Sequence, residues 1–140
     1  WIEPSKEDGP FQKRGLQVIP MASKAFRADQ NAFVYFEVYN LKRDEFGQTK
    51  YRVEYAFRSR EKGLAPVRAL RGLGRMLRLK EKRREVLIAY EQAGDATEDV
   101  AYVELDLKDA EPGGQEVQVK VTDLLADRDV EKEIQFKIVP

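Results

Sequence analysis

Over much of this chain apolar side chains recur at every second residue. Tyr51, Val53, Tyr55 and Phe57 alternate with Arg52, Glu54 and Ala56, and the same period returns at Val86–Tyr90, Val103–Leu107, Val117–Val121 and Ile134–Ile138. A period of two sends successive side chains to opposite faces of a strand, so each run predicts a strand with one face turned to a core. The densest run is Ala32 to Leu41, rich in β-branched and aromatic residues and bounded by Asp29-Gln30-Asn31 and Lys42-Arg43-Asp44. It puts Val34, Phe36 and Val38 on one face and Phe33, Tyr35, Tyr39 and Leu41 on the other. That pattern reads as a central strand needing cover on both sides. Leu16, Val18 and the patch Ile19–Ala22 read as a first strand, with Pro20 marking an edge or bulge. Phe36, Val53, Tyr55, Val119 and Phe136 are expected in one core.

Between these runs lie residues suited to turns: a Gly47-containing hairpin connection at Asp44–Thr49, then Gln92-Ala93-Gly94-Asp95 and Glu111-Pro112-Gly113-Gly114. One stretch breaks the period. Leu64, Val67, Leu70, Leu73 and Leu77 recur at spacings of three and four among arginines, which predicts a short helix beginning near Pro66. Gly72 and Gly74 each cost about 1 kcal/mol in a helix interior, so a loop with one helical turn competes with it. About seven strands without regular βαβ alternation predict an all-β fold: an immunoglobulin-like antiparallel β-sandwich over residues 16–140, with a short helix or loop inserted around 64–79. Residues 1–15, with Pro4, Gly9, Pro10 and Gly15 among charges, read as a linker or N-terminal arm.

Several strings resemble, in this order, the C-terminal β-sandwich region of bacterial GWxTD-domain proteins, an uncharacterised and largely exported group. They are Val34-Tyr35-Phe36-Glu37-Val38-Tyr39-Asn40-Leu41, Gly47 with Tyr51-Arg52-Val53-Glu54-Tyr55, Leu105-Asp106-Leu107 before Pro112-Gly113, Val119-Lys120-Val121-Thr122-Asp123-Leu124, and Phe136-Lys137-Ile138-Val139. The Gly-Trp-x-Thr-Asp tetrad itself is absent. The resemblance implies a trailing, non-catalytic interaction or structural module of a larger exported bacterial protein. It further implies a periplasmic or cell-envelope setting, with a protein segment or a neighbouring domain of the same chain as partner. A start at Trp1 rather than Met fits a piece of a longer protein, and the given chain carries no signal peptide.

Composition narrows the chemistry. At 140 residues one domain is expected, and with neither Cys nor His the chain has no thiolate or imidazole for metal binding, nucleophilic catalysis or proton shuttling. Ser5, Ser23 and Ser59 therefore have no imidazole base, and Ser5-Lys6 or Ser23-Lys24 point apart in an extended segment. Glu104 and Asp106 share one strand face as solvated carboxylates, and Asp123, Asp127, Asp129 and Glu131 crowd one connection without the Ca²⁺-loop spacing. No catalytic, metal or cofactor site is expected, and no enzyme.

Two features remain as candidate sites. The chain is neutral overall, yet residues 58–84 hold eleven Lys and Arg against two acids, whereas residues 85–140 hold five against fifteen. Arg68, Arg71, Arg75, Arg78, Lys82, Arg83 and Arg84 could dock a membrane surface or a polyanion. Without stacking aromatics or a recognised module, nucleic acid is not expected. The favoured reading is internal neutralisation, by acids such as Glu98, Asp99, Asp127 and Asp129. The second feature is the aromatic patch Phe33, Tyr35 and Tyr39, which would bind a sugar or a protein if left uncovered. Cover is expected from the leucine stripe or from the arm carrying Trp1 and Phe11.

Overall fold

In a computed structural model, residues 2–6, 9–60, 68–72, 75–82, 85–108 and 110–140 are described, with backbone alone for residue 13 and for the strand residues from 68 to 86. Among them the alternating runs form strands, and no helix occurs. In chain order the strands are β1 (Ile2–Pro4), β2 (Gln12–Lys13), β3 (Leu16–Val18), β4 (Ala25–Arg27), β5 (Ala32–Val38), β6 (Thr49–Ser59), β7 (Arg68–Gly72), β8 (Arg75–Lys82), β9 (Glu85–Gly94), β10 (Asp99–Asp106), β11 (Gly113–Asp123) and β12 (Arg128–Val139).

A six-stranded sheet runs in the order β4-β12-β11-β6-β9-β8, and a three-stranded sheet in the order β5-β10-β7. Pairing is antiparallel except where β4 lies parallel to the end of β12. The inner faces of both sheets share one core, in which Val34, Val38, Val103 and Leu105 meet Val53, Tyr55, Phe57, Ile88, Val117 and Val119. The all-β sandwich reading therefore holds. Strand β6 is its hub: its odd residues Tyr51, Val53, Tyr55 and Phe57 are each at most 1% exposed. In β11 alternation is complete, every odd residue from 113 to 123 being buried. The expected core residues come together, with Phe36 packed at the rim of the cluster.

Several sequence expectations change. The run from Ala32 is not central: β5 is an edge strand, bonded to β10 alone among the described strands, and β10 occupies the middle of that sheet. Asn40 adopts φ 60°, which turns the chain after Tyr39 and carries Leu41 into the core rather than onto the outer face. The Asp44–Thr49 segment does not pair β5 with β6, which lie in different sheets. It is a tight turn in which Asp44 Oδ1 accepts the N–H groups of Phe46 and Gln48, and Gly47 supplies φ 77°.

The expected helix around 64–79 is replaced, where the chain is described, by β7 and β8. The stripe is divided between two strands: Leu70 falls in β7, where the register on β10 skips it between Arg71 and Ala69, and Leu77 falls in β8, so the three-four spacing belongs to no single element. Leu64, Val67 and Leu73 lie outside the described residues. The arm is not unstructured either: β1 and β2 flank β3 in a small sheet of their own, so Leu16–Val18 joins the arm rather than either large sheet.

The core carries a polar cost. Tyr55 stacks on Phe57 at 5.9 Å and on Tyr90 at 6.1 Å, yet the hydroxyls of Tyr55 and Tyr90 are buried beside each other without a hydrogen bond of ordinary geometry among the described residues. Burial raises both phenol pKa values, that of Tyr90 to about 12. An unpaired buried hydroxyl costs about 1–3 kcal/mol, and Phe keeps the ring without it. Tyr55→Phe should thus melt a few degrees above the wild type. A lower melting temperature would show that the hydroxyl has a partner.

Candidate functional site

The two large sheets are not closed on the β5 side. Three cavities follow one another along the seam between β5 and β12: the first meets the second at Ile134, and the second and third share Val38, Tyr39, Val121 and Val130. The largest, of about 430 Å³, lies between the arm (Ile2, Val18–Met21) and Phe33, Tyr35, Leu105, Val117 and Phe136. Next comes one of about 310 Å³ lined by Phe36, Val38, Val119, Val121, Val130 and Ile134, with Glu37 and Lys132 on its rim. The third, about 280 Å³, ends at Asn40, Asp123 and Arg128. Alternation builds this groove. The even residues of β5 and β12 point between the sheets, and near the edge no further strand among the described residues covers them. Val130 remains 56% and Tyr39 55% exposed.

At the Asp123 end the strings Val34–Leu41 and Val119–Leu124 meet. Asp123 is 6% exposed and its carboxylate accepts the N–H groups of Lys42 (2.9 Å), Leu125 (3.0 Å) and Ala126 (3.1 Å), with Arg128 at 3.7 Å. Arg128 also donates to the Asn40 carbonyl at 3.2 Å. Burial alone would raise the Asp123 pKa, but these donors outweigh it and hold the carboxyl below its usual value. Asp123 is therefore committed to pinning the β11–β12 turn to the chain leaving β5. No group of three or more metal-ligating side chains is gathered among the described residues.

The aromatic patch is split. Phe33 meets Tyr102 edge-on at 6.4 Å, and Phe33 and Tyr35 wall the cavity bordered by the arm. Cover thus comes from Ile2 and Val18–Met21, whereas Phe11 is 50% exposed and Trp1 lies outside the described residues. Both Tyr35 and Tyr39 donate their hydroxyls to Glu37. Burial and then the Glu37 charge push the Tyr35 phenol up to about 12, and the Glu37 hydrogen bond raises that of the exposed Tyr39.

The basic residues fall on the opposite side of the sandwich, on the edge strands β7 and β8, with Arg83 and Arg84 outside the described residues. Their register partners are mostly acids: Arg68↔Asp106, Arg71↔Glu104, Arg75↔Glu91 and Lys82↔Glu85, while Arg78 faces Ile88. Three of the four acids the sequence suggested as neutralising partners are engaged elsewhere: Glu98 with Arg14, Asp99 with the Tyr51 hydroxyl, and Asp129 with Lys120. Sequence reasoning missed the groove because it depends on where β4 stops, although the alternation of Val130, Lys132 and Ile134 could have placed those side chains toward β5.

No family model matches the chain, and neither a curated protein nor a solved structure matches it.

The corner generates a pH-dependent prediction. Since the folded-state pKa of Asp123 is depressed, its stabilisation is complete above the unfolded value of about 4 and disappears as pH falls through the lower folded value. Asp123→Ala should cost about 1–3 kcal/mol in urea unfolding at pH 7. The gap to the wild type should narrow in acid; an equal gap at low pH would assign the loss to packing instead of charge.

Proposed function

We propose that this β-sandwich is a non-catalytic interaction module whose apolar groove between β5 and β12 receives an extended segment of another protein or of a neighbouring part of the same polypeptide. The observation that carries the reading is the groove itself: an apolar channel continuous with the core, with large apolar side chains exposed along its lip. Pockets of this size lined by core residues are where extended chains and apolar side chains gain most from leaving water. By its likeness to the GWxTD sandwich region, the module belongs to a larger exported bacterial protein working in the periplasm or cell envelope.

An anion-binding role for Arg68, Arg71, Arg75, Arg78, Lys82, Arg83 and Arg84 is the alternative. It has less support, because Arg68, Arg71 and Lys82 stand across from acids in register, although the Glu91 opposite Arg75 is already held by Arg52 and Lys50. Salt separates the two: contact through the groove should survive 0.5 M salt, whereas a polybasic contact should be screened. Panning short random peptides against the domain at that salt should enrich apolar sequences. Their affinity should drop on the order of tenfold for the double variant Tyr39→Lys/Val130→Lys, which changes exposed positions only. Failure to enrich any peptide, or enriched peptides that bind the variant equally well, would contradict the groove reading.

A further inference from the structure

One wall of the groove is an unused strand edge. Strand β4 pairs with β12 only at Lys137–Val139, and no described strand pairs with β12 on that side before Lys137. The orientation of the free backbone groups follows from alternation. Lys137 donates its N–H to the Lys24 carbonyl at 2.9 Å, so its peptide groups face the β4 side. The register of β12 on β11 runs unbroken from Ile138 to Arg128. Backbone groups along a strand point alternately to its two neighbours, so those of Asp129, Glu131, Glu133 and Gln135 face outward past the edge. Their side chains lie on the solvent face, while Val130, Lys132 and Ile134 line the groove.

We infer that β12 is a docking edge for strand addition, and that its partner is an extended segment in which apolar residues alternate with Lys or Arg. This rests on the groove reading above and specifies its chemistry. The added strand would continue the line of β4 along β12, exchanging main-chain hydrogen bonds with Asp129, Glu131, Glu133 and Gln135. Its groove-side residues, opposite Val130 and Ile134, must be apolar. Its solvent-side residues stand opposite a row of carboxylates. Lys120 stands across from Glu131 in register and reaches Asp129 at 3.7 Å, so one cation serves two carboxylates, while Glu131 and Glu133 accept from the side-chain amides of Gln118 and Gln135 and form no ion pair within 4 Å among the described residues. A basic residue across from each completes the pairing, whereas an acidic one would be repelled.

The probe is a synthetic Lys-Val-Lys-Val-Lys-Val-Lys peptide, with a Glu-Val-Glu-Val-Glu-Val-Glu peptide as its counterpart, titrated by fluorescence anisotropy. The lysine peptide should bind on the order of tenfold more tightly or better, with an affinity that falls as salt rises. Glu133→Pro removes one outward N–H and no β11 bond, so it should melt like the wild type and lose most peptide affinity. Should that variant melt low, Glu131→Lys/Glu133→Lys keeps every N–H and should reverse the preference between the peptides. Unchanged binding by a well-folded Glu133→Pro, equal binding of the two peptides, or no preference reversal would overturn strand addition. If neither peptide binds while panned apolar peptides still require Tyr39 and Val130, strand addition alone fails; if no peptide of any kind binds, the groove reading fails with it.

Discussion

The inner face of β6 is the constraint on which the rest of the molecule depends. Tyr51, Val53, Tyr55 and Phe57 are withdrawn from water almost completely, and each buried side chain of this size is worth roughly 1.5–3 kcal/mol against leaving it exposed. Two neighbours, β11 and β9, fix the register of β6 over nearly its whole length. A slip by one residue would exchange that face for Arg52, Glu54 and Arg58, so alternation and register enforce each other. The second sheet, β5-β10-β7, exists as cover for this surface, and β10 sits at its centre because Ala101, Val103 and Leu105 supply the facing apolar set.

The outer face of the large sheet is specified by charge. Arg52 and Lys50 converge on Glu91 at 2.7 and 3.1 Å, and Arg58 reaches Glu116 at 3.3 Å, all across adjacent strands. Exposed pairs of this kind add little stability individually. Their effect is on specificity, since the face that carries them cannot be buried. The groove between β5 and β12 lies where both controls lapse: the apolar faces continue to the edge, but the cover does not.

How much was legible in the sequence depended on how strictly each stretch kept its period. β6 and β11, with unbroken alternation, were read correctly, whereas the Gly47 turn forms without making a β5–β6 hairpin and Gly113 and Gly114 open β11 instead of turning the chain. The basic segment was misread because its leucines are shared between two strands and Leu70 sits at a register skip of β7 on β10, so their spacing imitates a helical period. Strand composition likewise suggested that the Ala32 run was central, but position within a sheet is set by partners distant in sequence. Of the candidate sites, the aromatic and basic residues could be named in advance. Their register partners could not, because Arg71↔Glu104 and Arg75↔Glu91 join segments that only the folded sheet aligns.

The open edge of β12 is the claim on which the functional account turns, and amide hydrogen exchange in the free domain tests it most directly. Bonded amides in a core sheet exchange only through opening, whereas unpaired edge amides exchange freely. Along β12 the amides of Val130, Lys132 and Ile134 should be protected by β11, and those of Asp129, Glu131, Glu133 and Gln135 should exchange quickly. Slow exchange at all of these positions would mean that the edge is already covered and that there is no groove to fill.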